Sequence, residues 1–120
     1  MEYPVGGAVH VSHGAGNGLL LPYVMRFNLH ERVEETAQIG ELLSKVRGHG
    51  LVGWAECAMA EIEQLRIDIG IPTRLRDLGV TEEMLPGFAA KAFAIKRLMR
   101  VNPRMPQNEG EILDIYRAAW

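Results

Sequence analysis

The sequence has one cysteine, Cys57, in 120 residues. A single thiol excludes an internal disulfide framework and suits a reducing compartment, so a cytoplasmic protein is expected. There is no surplus of positive charge. The formal net charge is −2 and the lysines and arginines are scattered, so nucleic acid is not an expected partner. Long apolar runs are missing as well. The longest, from Gly18 to Met25, falls far short of the roughly 20 residues a membrane span needs. Met1-Glu2-Tyr3-Pro4 lacks the basic and apolar regions of a signal peptide. No repeat, low-complexity tract or composition shift marks a linker, so residues 1–120 read as one domain. With 48% hydrophobic and 23% charged residues, that domain is expected to be globular rather than disordered.

What is present is helical punctuation. Residues 1–12 are glycine-rich, with Val9 and Val11 flanking His10, and read as irregular or briefly extended. A helix is expected to begin between His13 and Gly16 and to run to about Phe27. Apolar residues surround its axis, which predicts burial. Pro22 removes one backbone hydrogen bond and predicts a kink, with Gly18 easing the clash one turn earlier. A second helix is predicted over 31–46, burying Ile39, Leu42, Leu43 and Val46, until Gly48-His49-Gly50 breaks it. A third carries a stripe of Leu51, Ala55, Ala58, Ile62, Leu65 and Ile69. Glu56, Glu61, Glu63, Gln64 and Arg66 lie on its other side, and Gly70 and Pro72 end it. Thr73 and Thr81 are placed to cap two further helices, the second with Glu82 and Glu83 in its first turn. That second helix buries Phe88, Ala92, Ile95 and Met99 and stops at Asn102-Pro103. Asn108 and Glu111 resemble a capping box before a last helix that buries Ile112, Ile115, Tyr116 and Ala119. No alternating apolar stretch remains, so the fold class is all-α.

Chemistry concentrates near the start. His10 and His13 form a His-x-x-His pair ahead of a helix, and neutral imidazole is the commonest ligand for zinc, iron and similar metals. Read from spacing alone, both are more simply polar surface or loop residues, since stable sites have three or four protein donors and Glu2 is the one carboxylate in the segment. Gly14-Ala15-Gly16-Asn17-Gly18 matches neither a Walker loop nor a dinucleotide fingerprint, and reads as close packing at a helix start. His30 and His49 fall at helix boundaries and are read as capping or solvent residues. Cys57 is read as a small core residue, Met84 and Met99 as core filler, and Glu31, Glu34 and Glu35 as a solvated face. Trp120 is either a packing residue or a partner contact.

The run from His13 to Asn28, His-Gly-Ala-Gly-Asn-Gly-Leu-Leu-Leu-Pro-Tyr-Val-Met-Arg-Phe-Asn, resembles a segment of the iron-containing (group III) alcohol dehydrogenases. Tyr3-Pro4-Val5-Gly6-Gly7, Ile69-Gly70-Ile71-Pro72, Leu75 to Val80, Asn102-Pro103-Arg104 and Ile115 to Trp120 are similar to the family in the same order. The resemblance implies the C-terminal helical bundle of that family, within the dehydroquinate synthase-like superfamily. It implies a metal, iron or sometimes zinc, held by one aspartate and three histidines, with His13 as one ligand. It leaves His10 in the loop before it, facing the cleft. It places the NAD or NADP region and the other ligands upstream, in the intact enzyme only. No catalytic or cofactor-binding residue is then expected in this chain, and metal affinity alone is expected to be weak or absent. The Met105-Pro106-Gln107 connection reads as one residue longer than usual, so the docking of the last helix is open.

The resemblance therefore implies the metal-site portion of an alcohol dehydrogenase, inactive alone, whose partner is the nucleotide-binding domain or a second copy of its docking surface. Two other readings stand beside it: a stand-alone helical assembly module, and a small metal-binding protein using His10 and His13 from two chains.

Overall fold

The computed structural model describes residues 1–44 and 50–120. Among the described residues seven α-helices follow in order: α1 Glu2–Val9, α2 His13–Asn28, α3 Val33–Leu43, α4 Leu51–Asp68, α5 Leu85–Ala94, α6 Lys96–Val101 and α7 Glu109–Ala119, with short 3-10 turns between some of them. There is no strand among the described residues, as expected of an all-α chain. His49 and Val46, named above, lie outside the described residues. Among the described residues no helix is long and apolar enough to cross a membrane.

The core gathers Val5 of α1, Leu19 and Leu20 of α2, Phe88, Ala89 and Ala92 of α5, Met99 of α6, and Ile112, Tyr116 and Ala119 of α7, closed below by Leu75 and Val80. α2 begins at His13 as expected. Ser12 caps it, its Oγ accepting from the Ala15 amide at 3.3 Å. The helix continues through Pro22, which is buried. Gly18 serves a second purpose there, because a Cβ on it would stand 2.5 Å from Ile71 Cδ1.

Residues 1–12 differ from the expectation. They form α1 because Val5 is fully buried in the core and the helix packs on α2 and α5, contacts that outweigh the poor helix propensity of Gly6 and Gly7. Pro4 loses no hydrogen bond in the first turn, where amides have no intrahelical partner. His10 ends α1 in the left-handed conformation, φ 53°, its amide donating to the Gly6 carbonyl at 3.0 Å.

α3 and α4 form a hairpin whose buried faces also differ. Ile39 and Leu43 are exposed, and Leu42 is 85% exposed. The residues buried on α3 are Thr36, Ala37 and Gly40, set against Ala55, Ala58 and Met59 of α4. The two helices approach so closely that the Trp54 carbonyl oxygen stands where a Gly40 Cβ would be. On α4, Ala55 and Ala58 are buried as expected, while Leu51, Leu65 and Ile69 are exposed. Arg66 is the reverse of its expected place. It is 8% exposed, donating to the Leu19 carbonyl at 3.0 Å and lying over the Tyr23 ring. Gly40→Ala is expected to lower stability by about 2 kcal/mol, because the clash with main chain exceeds the helix-propensity gain of about 1 kcal/mol. A melt should show Tm falling by about 8 °C, and an unchanged Tm would mean that the hairpin tolerates separation.

Gly70, φ 75°, and Gly79, φ 83°, end their helices in the left-handed region as expected. Thr73 caps nothing; its carbonyl accepts from the Tyr23 hydroxyl at 3.0 Å. The Thr81 hydroxyl makes no backbone cap and instead bonds the Glu83 carboxylate, holding that carboxyl below its ordinary range. The helix expected to run to Val101 breaks at Ile95, with Phe88, Ala92 and Met99 still buried. Met84 is exposed rather than core filler.

α7 matches expectation at all four buried positions, and Asn108 Oδ1 accepts from the Glu111 amide at 3.1 Å. The Glu111 carboxylate, however, accepts from the Gln107 amide and from Arg104, each at 2.7 Å, and these bonds hold it below the usual carboxylate range. Asn28 and Asn102 exchange side-chain amide bonds at 3.1 and 2.6 Å, and Arg104 stacks over Phe27. The Asn102-Pro103-Arg104 turn thus docks the end of α2 against the start of α7. Trp120 is a packing residue: its Nε1 donates to the Val80 carbonyl at 2.9 Å.

Candidate metal centre

The corner between α1 and α2 brings four side chains together. His13 opens α2, so its ring leaves the first turn toward α1. Its Nδ1 lies 2.5 Å from Glu2 Oε2. Its Nε2 lies 2.9 Å from Asn17 Nδ2, one helical turn on. Tyr3 stacks on the ring, with centroids 5.4 Å apart and planes at 26°.

Exposure is divided unevenly. The His13 side chain is 62% exposed, while that of Glu2 is 5% exposed. Glu2 fits because two glycines flank it. A Cβ on Gly6 would collide with its carboxylate oxygen, and one on Gly16 would stand 2.7 Å from its Cγ. The close packing expected of the Gly14–Gly18 stretch is therefore found at Gly16, against the Glu2 side chain, and at Gly18, against Ile71, while Gly14 faces open space.

The hydrogen-bond pattern selects a ring state. An ionised carboxylate only accepts, so Nδ1 carries the proton and donates to Glu2. An amide nitrogen only donates, so Nε2 accepts from Asn17 through its lone pair. One neutral tautomer satisfies both contacts. This is the arrangement found around metal-ligating histidines, where the far nitrogen is tied to a carboxylate and the near one offers its lone pair.

His10 does not join this cluster. Its ring is exposed, and no hydrogen bond or ring contact links it to His13 among the described residues. No group of three or more histidine, cysteine, aspartate or glutamate side chains able to hold a metal occurs among the described residues. Among the described residues, the candidate donors at this corner are thus His13 with Glu2 behind it. His30 is exposed in the turn after α2, and Cys57 is half-buried and free. Sequence spacing could have paired His13 with Asn17, four residues on. Glu2 and Tyr3 gave no such signal, since their approach depends on α1 being helical.

A cavity of about 470 Å³ adjoins the cluster. Glu2 and Asn17 line it together with Leu21, Val24, Phe27 and Met99. Its walls are thus chiefly apolar, with polar groups where the His13 cluster meets it.

Comparison with known proteins bears on the whole of this arrangement. The sequence model of the Fe-containing alcohol dehydrogenase family, C-terminal part, matches residues 1–120. The chain is 41% identical over 121 aligned residues to the 1,3-propanediol dehydrogenase of Klebsiella pneumoniae. It is 35% identical to the lactaldehyde reductase of Escherichia coli K12. It covers 31% of the length of each of these relatives, which align with all of it. A crystal structure of 1,3-propanediol oxidoreductase superimposes with a TM-score of 0.90, at 41% identity, over 99% of this chain and 31% of that one.

Proposed function

The chain belongs to the iron-containing alcohol dehydrogenase family, as its C-terminal helical domain, and from that premise we propose that it contributes His13 as one ligand of the metal in an NAD(P)-linked alcohol and aldehyde oxidoreductase. The observation that carries the reading is the largely exposed His13 ring, tied at Nδ1 to a buried carboxylate and met at Nε2 by the exposed Asn17. A neutral imidazole presented in this way suits iron and zinc alike.

The chain's own residues have limited tasks. Glu2 orients the ring, Tyr3 covers one of its faces, and Asn17 occupies Nε2 until it swings aside on its exposed side chain. The neighbouring cavity, lined by Glu2 and Asn17, gives that end of the cluster chiefly apolar surroundings. A bound iron or zinc supplies Lewis-acid polarisation of the substrate oxygen. The remaining ligands and the nicotinamide site belong to the part of the relatives' length that this chain does not cover. One imidazole holds such an ion weakly, so the 120 residues alone should neither retain metal nor oxidise alcohols. The uncovered apolar residues of α3 and α4, with Leu42, Leu43, Leu51 and Val52 among them, support docking of this hairpin against the rest of the enzyme or a second copy.

The test joins the preceding two-thirds of the Klebsiella 1,3-propanediol dehydrogenase to this chain. NAD-linked oxidation of 1,3-propanediol should require added Fe²⁺ in the fusion and be absent from the chain alone. A folded fusion that takes up no iron, or an active isolated chain, would overturn the reading.

A further inference from the structure

We propose that Glu2 is a positioning residue for His13, fixing the neutral ring with its proton on Nδ1 and its lone pair on Nε2. The inference rests on the metal reading above only for its purpose; the geometry stands without it.

Three features of the structure point the same way. First, the carboxylate is buried while its partner is largely exposed. Exposed histidines rotate freely, so a fixed ring needs an anchor that cannot itself rotate, and Glu2 is confined between α1 and α2. Second, the confinement is built in. Gly6 on α1 and Gly16 on α2 are the positions where a Cβ would strike the Glu2 side chain, one at the carboxylate and one at Cγ. Glycine costs helix stability at both places, and the space it leaves is filled by this carboxylate. Third, an accepting carboxylate at Nδ1 calls for a donor there, and the Asn17 amide nitrogen at Nε2 is compatible with the same tautomer. Without Glu2, Asn17 can turn its amide oxygen to Nε2 and stabilise the other tautomer, whose lone pair points back between the helices.

The two contacts therefore have different natures. Asn17 is exposed and adapts to whichever state the ring has, whereas Glu2 is buried, accepts only, and dictates that state. Tyr3 adds a stacked face that restrains ring rotation but does not distinguish the nitrogens.

The experiment is nitrogen-15 spectroscopy of the His13 ring in the metal-free 120-residue chain at about pH 8.5, where an ordinary imidazole of pKa about 6.5 is neutral. The wild-type ring should show a protonated Nδ1 and an unprotonated Nε2. Glu2→Gln should give a mixture of tautomers, Glu2→Asp should keep the wild-type pattern in larger part, and Asn17→Ala should leave it in place. Circular dichroism checks that each variant folds, and the Asp variant keeps the test open if Gln does not. Zn²⁺ added as the probe should shift Nε2 in the wild type, with apparent affinity about 10- to 100-fold weaker in Glu2→Gln. A wild-type ring protonated at Nε2, or a Glu2→Gln ring unchanged in tautomer, would overturn the positioning role. A ring held in the Nδ1–H form while the iron-loaded fusion ignores loss of His13 would support the positioning role and sink the metal reading.

Discussion

Tyr116→Ala is expected to destabilise the chain by about 4 kcal/mol, read as a lower urea midpoint with an unchanged slope. Tyr116 is fully buried on α7, with its ring tilted against Phe88 at 5.9 Å between centroids. Its hydroxyl donates to the Met1 carbonyl at 2.5 Å, across the seam between α7 and the start of α1. Truncation removes an aromatic ring from a core shared by α1, α2, α5 and α7, which explains why the cost belongs at the upper end for core substitutions. Tyr116→Phe separates the two contributions: it keeps the ring and should cost about 1–2 kcal/mol for the carbonyl left without its donor.

The same residue gives a pH dependence of definite sign. Burial, with the charge of Glu2 adding to it, pushes the Tyr116 phenol well above its ordinary range. A raised folded-state value means that the folded chain holds this proton more tightly than the unfolded one. The stabilisation is complete below the ordinary phenol value of about 10 and is lost as pH rises beyond it. Alkaline unfolding should therefore begin above about pH 10 and move upward in Tyr116→Phe relative to its own neutral-pH stability. An identical alkaline profile in both proteins would remove Tyr116 as the responsible group.

Helix ends were legible at Gly70 after α4, at Gly79, and at Asn108 before α7, which act within a few residues of where they stand. Thr73 and Thr81, by contrast, read as caps and make none, and the Ser12 cap of α2 went unread. Burial was legible on α7 because its apolar stripe meets the core of this same chain. On α3 the stripe of Ile39, Leu42 and Leu43 is equally regular, yet that face has no partner within the described residues. The hairpin is instead held through Thr36, Ala37 and Gly40, whose value lies in being small, a property that hydrophobic periodicity does not register. Arg66 misled for a related reason: a guanidinium reads as a solvent group until a carbonyl and an aromatic ring are brought to it by another helix. α1 was illegible because two glycines and a proline mask a helix that tertiary packing sustains.

The candidate site divides along the same line. His13 was read from its spacing as one of several options and from the motif around it as a ligand. Glu2 was noted only as a nearby carboxylate. Its pairing with His13 spans eleven residues and needs both helices, a crossing angle set by the core, and glycines on either side. Local sequence rules have no means of combining these.

The second large effect concerns His13 itself, in the fusion with the part of the Klebsiella relative that this chain does not cover. On the proposed reading His13→Ala removes a direct donor, so iron affinity should fall by more than the roughly 100-fold that loss of an outer partner costs. If Lewis-acid polarisation is worth about 4 kcal/mol, the rate of NAD-linked alcohol oxidation should fall about 10³-fold at fixed iron. Raising Fe²⁺ should recover part of the metal content before it recovers activity, since water in place of the imidazole is a weaker donor and is not held in the same geometry. His10→Ala is the matched comparison. Its ring is exposed and contacts neither His13 nor Glu2, so iron content should stay at the wild-type level even if access to the cleft alters KM. Equal iron loss in the two variants would assign the effect to the α1–α2 loop as a whole, whereas loss confined to His13→Ala ties the metal to the one imidazole whose far nitrogen is held by a buried carboxylate.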